Sequence, residues 1–159
     1  MSSDGFTTCL WFDGRAREAA EFYTSVFPDS FMGTAIAQPE GLPSPPADEL
    51  LVDFTIKGEK FVGLNGGPMF TFNEAISFQI HCDDQDEVDY YWDRLTADGG
   101  EEGPCGWLKD KFGVSWQVIP KVFLEMMGDP DTARVQRVSD AMMTMKKLDI
   151  TELEKAFNV

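Results

Sequence analysis

The chain is 159 residues long, 43% hydrophobic and 13% aromatic, enough to bury about two-thirds of its surface without a disulfide or metal staple, as one domain or two packed half-domains. Its 28 acidic and 13 basic side chains give a formal charge of −15, which excludes nucleic acids and anionic membranes as partners, because both are held by clustered Lys and Arg. Cys9, Cys82 and Cys105 include no CxxC spacing, and the sequence has no leader-like N-terminus and no apolar run of membrane-spanning length, so it reads as a soluble cytoplasmic protein without a zinc cluster or redox dithiol.

Phe6 to Phe12 reads as a strand, after which Asp13 caps a helix and Gly14 turns the chain. Ala16, Ala19, Ala20, Tyr23 and Phe27 give that helix one apolar stripe, and Pro28 ends it. A strand at Phe31 to Ala37 leads into Gln38 to Asp48, whose four prolines and one glycine mark a loop. Leu50 to Ile56 and Lys60 to Leu64 form a hairpin about Lys57, Gly58 and Glu59. The pattern then restarts. Ala75 to Cys82 is a strand, Asp83 or Asp84 caps an acidic-fronted helix packed through Val88, Tyr91, Trp92 and Leu95, and Gly99–Gly100 ends it. Strands near Glu102 to Leu108 and Val114 to Ile119 complete the second half, with Asp110 and Lys111 in the turn between them.

An offset of 69 residues superimposes the halves, pairing Glu18 with Glu87, Phe22 with Tyr91, Tyr23 with Trp92 and Val26 with Leu95. Two repeated modules, 5–68 and 73–120, are therefore expected, followed by a helical extension over 121–159. In the extension Pro120 starts one helix and Asp129–Pro130 another, while Asp149 caps a last one, with Leu153 and Phe157 as its contacts.

Two segments resemble a known family. Leu10-Trp11-Phe12-Asp13-Gly14 with Glu18-Ala19-Ala20-Glu21-Phe22-Tyr23-Thr24-Ser25-Val26-Phe27 resembles the opening of PhnB-like proteins, a group often labelled with a 3-demethylubiquinone methyltransferase name. Gly106-Trp107-Leu108-Lys109-Asp110-Lys111-Phe112-Gly113-Val114-Ser115-Trp116-Gln117 resembles the group's closing signature. These proteins belong to the vicinal oxygen chelate superfamily, with glyoxalase I and the bleomycin-resistance proteins. The resemblance implies an α+β fold of paired βαβββ modules, their curled mixed sheets enclosing a cavity, usually in a homodimer.

It also implies where metal ligands would stand: on inward faces of the first and last strands of each module. Carried along the motifs, those positions are Thr8, Phe61, Ser77 and Gln117, and none offers an imidazole or carboxylate. A conventional metal site is thus not expected, although a one-residue slip of a strand would exchange each position for its neighbour. A displaced set containing Asp53 and His81 is the alternative.

Period-two alternation groups His81 with Ser77 and Gln79, and Ser115 with Gln117, on the cavity side, and places Trp116 behind the sheet. The expected ligand-binding residues are Thr8, Phe61, Ser77, Gln79, Trp107 and Gln117, with His81 the one candidate base. Cys105 as a nucleophile lacks an identifiable base, Asn65-Gly66-Gly67-Pro68 is a turn without a P-loop lysine, and no GxSxG, HExxH or dinucleotide fingerprint occurs, so no cofactor is expected. The expectation is a metal-independent small-molecule-binding protein. Two alternatives stand beside it: a lyase, isomerase or dioxygenase-like enzyme using a shifted metal set or His81, and a structural homodimer with a filled cavity.

Overall fold

The computed structural model describes residues 5–42 and 48–159. Residues 43–47, within the expected proline-rich loop, lie outside that description. The chain divides into two compact units, one ending at Phe72 and the other running from Asn73 to Val159. No helix among the described residues is long and apolar enough to cross a membrane.

The first unit is a βαβββ module built from β1 (Thr8–Phe12), α1 (Ala16–Val26), β2 (Phe31–Ala37), β3 (Glu49–Ile56) and β4 (Glu59–Asn65). Its sheet runs β1-β4-β3-β2, with β1 parallel to β4 and the other pairs antiparallel. The β3–β4 hairpin turns at Lys57 and Gly58, whose φ values of 48° and 85° match the right-handed strand twist. α1 lies on one face, where Tyr23 stacks on Phe54 with centroids 6.0 Å apart and Phe54 stacks on Phe61 at 5.4 Å. A Cβ at Gly63 would stand 2.9 Å from the Ala16 methyl, so glycine sets how closely α1 approaches the sheet.

The expected Asp13 cap is not observed. Arg15 occupies the cap position of α1 and makes no capping hydrogen bond. The first free amide, Ala16 N–H, instead donates to Asn65 Oδ1 at 2.9 Å, while Asn65 Nδ2 donates to the Glu49 carbonyl at 2.8 Å. A residue 49 positions away thus does the work of a local cap.

Beyond β4, Gly66 N–H donates to the Phe12 carbonyl at 3.0 Å and Trp11 Nε1–H donates to the Gly67 carbonyl at 2.8 Å. A Cβ at Gly66 would lie 2.3 Å from the Trp11 ring. Gly66→Ala is therefore expected to displace the indole and cost about 2 kcal/mol, read as a lowered urea midpoint with an unchanged slope.

The second unit repeats the order with β5 (Ser77–Cys82), α2 (Gln85–Thr96), a 3₁₀ turn (Ala97–Gly99), β6 (Glu101–Glu102), β7 (Trp107–Lys109) and β8 (Ser115–Pro120). Its sheet runs β5-β8-β7-β6, again with the first strand parallel to the last. Asp84 caps α2 by accepting from Glu87 N–H, and Val88, Tyr91, Trp92 and Leu95 are all buried as the helical stripe requires. The strand expected from Glu102 to Leu108 is broken in two. Pro104 has no amide to donate, and Cys105 and Gly106 take φ of 57° and 82°, so a loop separates β6 from β7.

The extension folds as α3 (Lys121–Met127), α4 (Thr132–Met142) and α5 (Ile150–Asn158). Its second helix starts at Thr132 because Asp131, past the expected Asp129–Pro130 start, accepts from Ala133 and Arg134 N–H. Phe123, Met126, Val138, Leu148 and Leu153 pack with Ile119 of β8 into one apolar cluster, which Phe157 flanks. The chain then ties back to the sheet, with Cys105 N–H donating to the Met145 carbonyl at 2.8 Å and Gly106 N–H to Lys146 at 2.7 Å.

Candidate functional site

In the second unit α2 covers the face carrying Ile80, Cys82, Trp116 and Val118, all at most 5% exposed. Alternation puts Ser77, Gln79 and His81 of β5, Ser115 and Gln117 of β8, and Trp107 and Lys109 of β7 on the opposite face. The register aligns them in two rows across the strands. One row is Glu101, Lys109, Ser115 and Ser77; the next contains Trp107, Gln117 and Gln79.

The expected polar residues of this face satisfy one another. Gln117 Nε2 donates to Ser77 Oγ at 2.8 Å, and Gln79 Nε2 donates to Gln117 Oε1 at 3.3 Å. Ser115 differs. It is 1% exposed, and its hydroxyl is the buried side-chain polar atom left without a partner among the described residues. A buried hydroxyl without a hydrogen bond costs about 1–3 kcal/mol, so its position requires an explanation.

Ser115 lines a cleft of about 450 Å³ with Glu74, Glu101, Glu102, Gly103, Pro104, Cys105, Trp107, Leu108 and Lys109. That size suits a small organic molecule. Lys109 Nζ pairs with Glu74 Oε1 at 2.5 Å, a contact that lowers the Glu74 pKa and raises that of Lys109. Glu102 accepts from Trp92 Nε1 at 2.9 Å and Lys146 Nζ at 3.4 Å, and the indole bond above all holds its carboxyl below the ordinary range. His81 is exposed on the same face, opposite Ile119.

Asp110 locks the turn below the cleft. At 2% exposure, Oδ1 accepts from Phe112 N–H at 2.8 Å and Val114 N–H at 3.1 Å, while Oδ2 accepts from Trp116 Nε1 at 2.8 Å. These bonds fix the start of β8, and hence Ser115.

In the first unit, Thr8 and Phe61 do not reach the open face. They pair with each other in register and share the α1-covered face with Leu10, Phe12, Phe54 and Gly63. The 69-residue offset holds for the helices, Ala16 matching Gln85, but the strands match at 70, Phe12 with Cys82 and Leu10 with Ile80. Three residues separate β1 from α1 and only two separate β5 from α2, and one extra residue reverses strand parity. The open face of β1 carries Cys9 and Trp11 instead, and that of β3 carries Asp53. Asp53 lines a separate cleft of about 390 Å³ with Thr7, Thr34, Thr55 and Lys60, and Phe54 and Phe61 also border it.

The donor set does not fit the divalent ion that this fold suggests. Corrected for parity, the first and last strands of the first unit offer one thiol, with the Asp53 carboxylate two strands from it on β3, and those of the second offer hydroxyls and amides already bonded to one another. Among the described residues no three His, Cys, Asp or Glu side chains converge to hold a metal ion.

Two four-stranded mixed sheets, each with its first strand parallel to its last and a helix on one face, define a glyoxalase-like α+β protein of the vicinal oxygen chelate superfamily. The family model described as 3-demethylubiquinone-9 3-methyltransferase matches residues 4–119, and the chain belongs to that PhnB-like family. A PhnB protein from Bacillus cereus, described as a putative 3-demethylubiquinone-9 3-methyltransferase, is 31% identical with a TM-score of 0.64, over 74% of this chain and 99% of its own. Protein PA1353 from Pseudomonas aeruginosa is 18% identical with a TM-score of 0.59, over 72% and 96% of the two chains. The fosfomycin resistance protein FosX from Listeria monocytogenes, solved with Mn(II) and a sulfate ion, shares the fold at 20% identity and a TM-score of 0.51, over 74% of this chain and 92% of its own. No curated protein matches the chain.

Sequence reasoning grouped Ser115 with the cavity wall but did not choose it as a site residue. The signal was the register itself: Gln117 bonds to Ser77 and Gln79, whereas Ser115 stands between Ser77, whose hydroxyl accepts from Gln117, and a lysine already held by Glu74.

Proposed function

We propose that this protein binds a small organic molecule in the cleft of its second module, without a metal ion. The observation that carries the reading is the unpartnered Ser115 hydroxyl, 1% exposed at the wall of a largely apolar cleft. A ligand hydrogen bond would offset the cost of desolvating that hydroxyl. Trp107 supplies a flat apolar surface. The chain Gln79–Gln117–Ser77 is a fixed polar wall beside it, because its members already hold one another. Thr8 and Phe61 take no part. The open cleft favours binding over a filled structural body, and a cytoplasmic homodimer is the setting that accompanies this reading.

The test is calorimetric screening of the purified full-length protein against soluble metabolites in buffer containing EDTA. At least one compound is expected to bind equally well with and without chelator, and to weaken about tenfold in both Trp107→Ala and Ser115→Ala, roughly 1.4 kcal/mol each. Binding that disappears with chelator, or that survives both substitutions, overturns the proposal. Hydrolysis or isomerisation of the methylglyoxal–glutathione adduct is not expected.

A further inference from the structure

Which chemistry the cleft selects is readable from its charge, and this step rests on the binding role just proposed. The lining carries three carboxylates, Glu74, Glu101 and Glu102, against one ammonium, Lys109. Lys109 is committed to Glu74, and Glu102 is engaged by Trp92 and Lys146. Glu101 sits directly across the ladder from Lys109, whose charged form it favours through space, and no hydrogen bond or ion pair is formed by its carboxylate among the described side chains. One negative charge is left over.

That charge stands in the row Glu101, Lys109, Ser115, Ser77, two strands from the buried, unpartnered Ser115 hydroxyl with Lys109 between them, and beside the row that presents Trp107. A carboxylate, an indole face and a free hydroxyl on one wall of a mostly apolar cleft are the elements that recognise an ammonium attached to an apolar body. The carboxylate attracts the charge, the indole quadrupole does likewise, and the hydroxyl accepts an N–H. An anion would meet Glu74 and Glu101 around the only lysine of the lining, and that lysine is already neutralised.

We propose that the cleft of the second module selects a small organic monocation, an aryl- or alkylammonium, with Glu101 as the residue that sets the preference for positive charge. Glu101 is exposed on a two-residue strand, so its replacement leaves the core untouched.

The experiment compares three soluble probes of one shape by calorimetry on the full chain: 2-phenylethylammonium, 2-phenylethanol and 3-phenylpropanoate. The cation is expected to bind at least tenfold more tightly than the other two and to weaken as salt rises. Glu101→Gln is expected to remove about a tenfold share of the cation's affinity and leave 2-phenylethanol unchanged, while Ser115→Ala weakens both. Thermal unfolding of Glu101→Gln should match the parent protein. If the alcohol binds as well as the cation, or the carboxylate binds best, the charge preference is wrong while the binding role stands. If none of the three binds, both fail.

Discussion

Asp110→Ala loses about 4 kcal/mol of stability, because one substitution removes three hydrogen bonds to a buried carboxylate and orphans two backbone amides and an indole N–H. For a chain of this length the melting temperature should fall by about 10 °C, followed by near-UV circular dichroism so that the Trp116 environment is seen directly. Asp110→Asn should recover part of the loss. Its amide oxygen still serves Phe112 and Val114, but its NH₂ then opposes Trp116 Nε1–H. A loss under about 1 kcal/mol for the alanine variant would show that the turn is held by other contacts. Ligand binding should weaken in parallel, since Asp110 sets the position from which β8 presents Ser115 to the cleft.

Leu148→Ala should cost about 3 kcal/mol, for a different reason. Leu148 is wholly buried in the cluster formed by Ile119, Phe123, Met126, Val138 and Leu153, and its Cγ lies 3.2 Å from the point where a Cβ on Gly106 would stand. Removing its branched end leaves a cavity between the helical extension and the β6–β7 loop that borders the cleft. The Leu148 carbonyl also accepts from Gln85 Nε2 at 3.1 Å, so the segment is anchored to α2 and collapses only in part. Leu124→Ala, on the exposed side of α3, is the control and should change stability by less than about 0.5 kcal/mol. Urea unfolding of the two variants checks the contrast, and amide exchange at Cys105 and Gly106 should rise only in Leu148→Ala, because those amides donate to Met145 and Lys146.

The extension also separates this chain from the structures it resembles. The family match ends at residue 119, and the PhnB protein of B. cereus aligns over 99% of its own length but 74% of this one. The segment joining α4 and α5 contributes backbone acceptors to Cys105 and Gly106, two positive-φ residues of the loop around the cleft. Gly103, Pro104 and Gly106 bond to Trp107 and Val118 of the neighbouring strands, and the extension adds acceptors for the Cys105 and Gly106 amides.

The residues alone determine most of the local structure. Apolar spacing marks α1 and α2, Asp84 and Asp149 accept from the amides three residues on as a cap should, and Lys57–Gly58 turns the hairpin with positive φ. The second half's polar face was legible too, because strict alternation through Ser77, Gln79, Ser115 and Gln117 depends only on the strand being a strand. Three features required the assembled fold. The cap of α1 comes from Asn65 across the sheet, since a free amide takes whatever acceptor the packing delivers. The parity of β1 turned on one extra residue before α1, which propensity does not register and which exchanges the two faces of a strand, and that of β4 on its pairing with β1. The unmatched hydroxyl of Ser115 is visible only once every neighbour's partner is known, because hydrogen bonding between strands is a property of register, set by tertiary pairing and not by the order of residues along the chain.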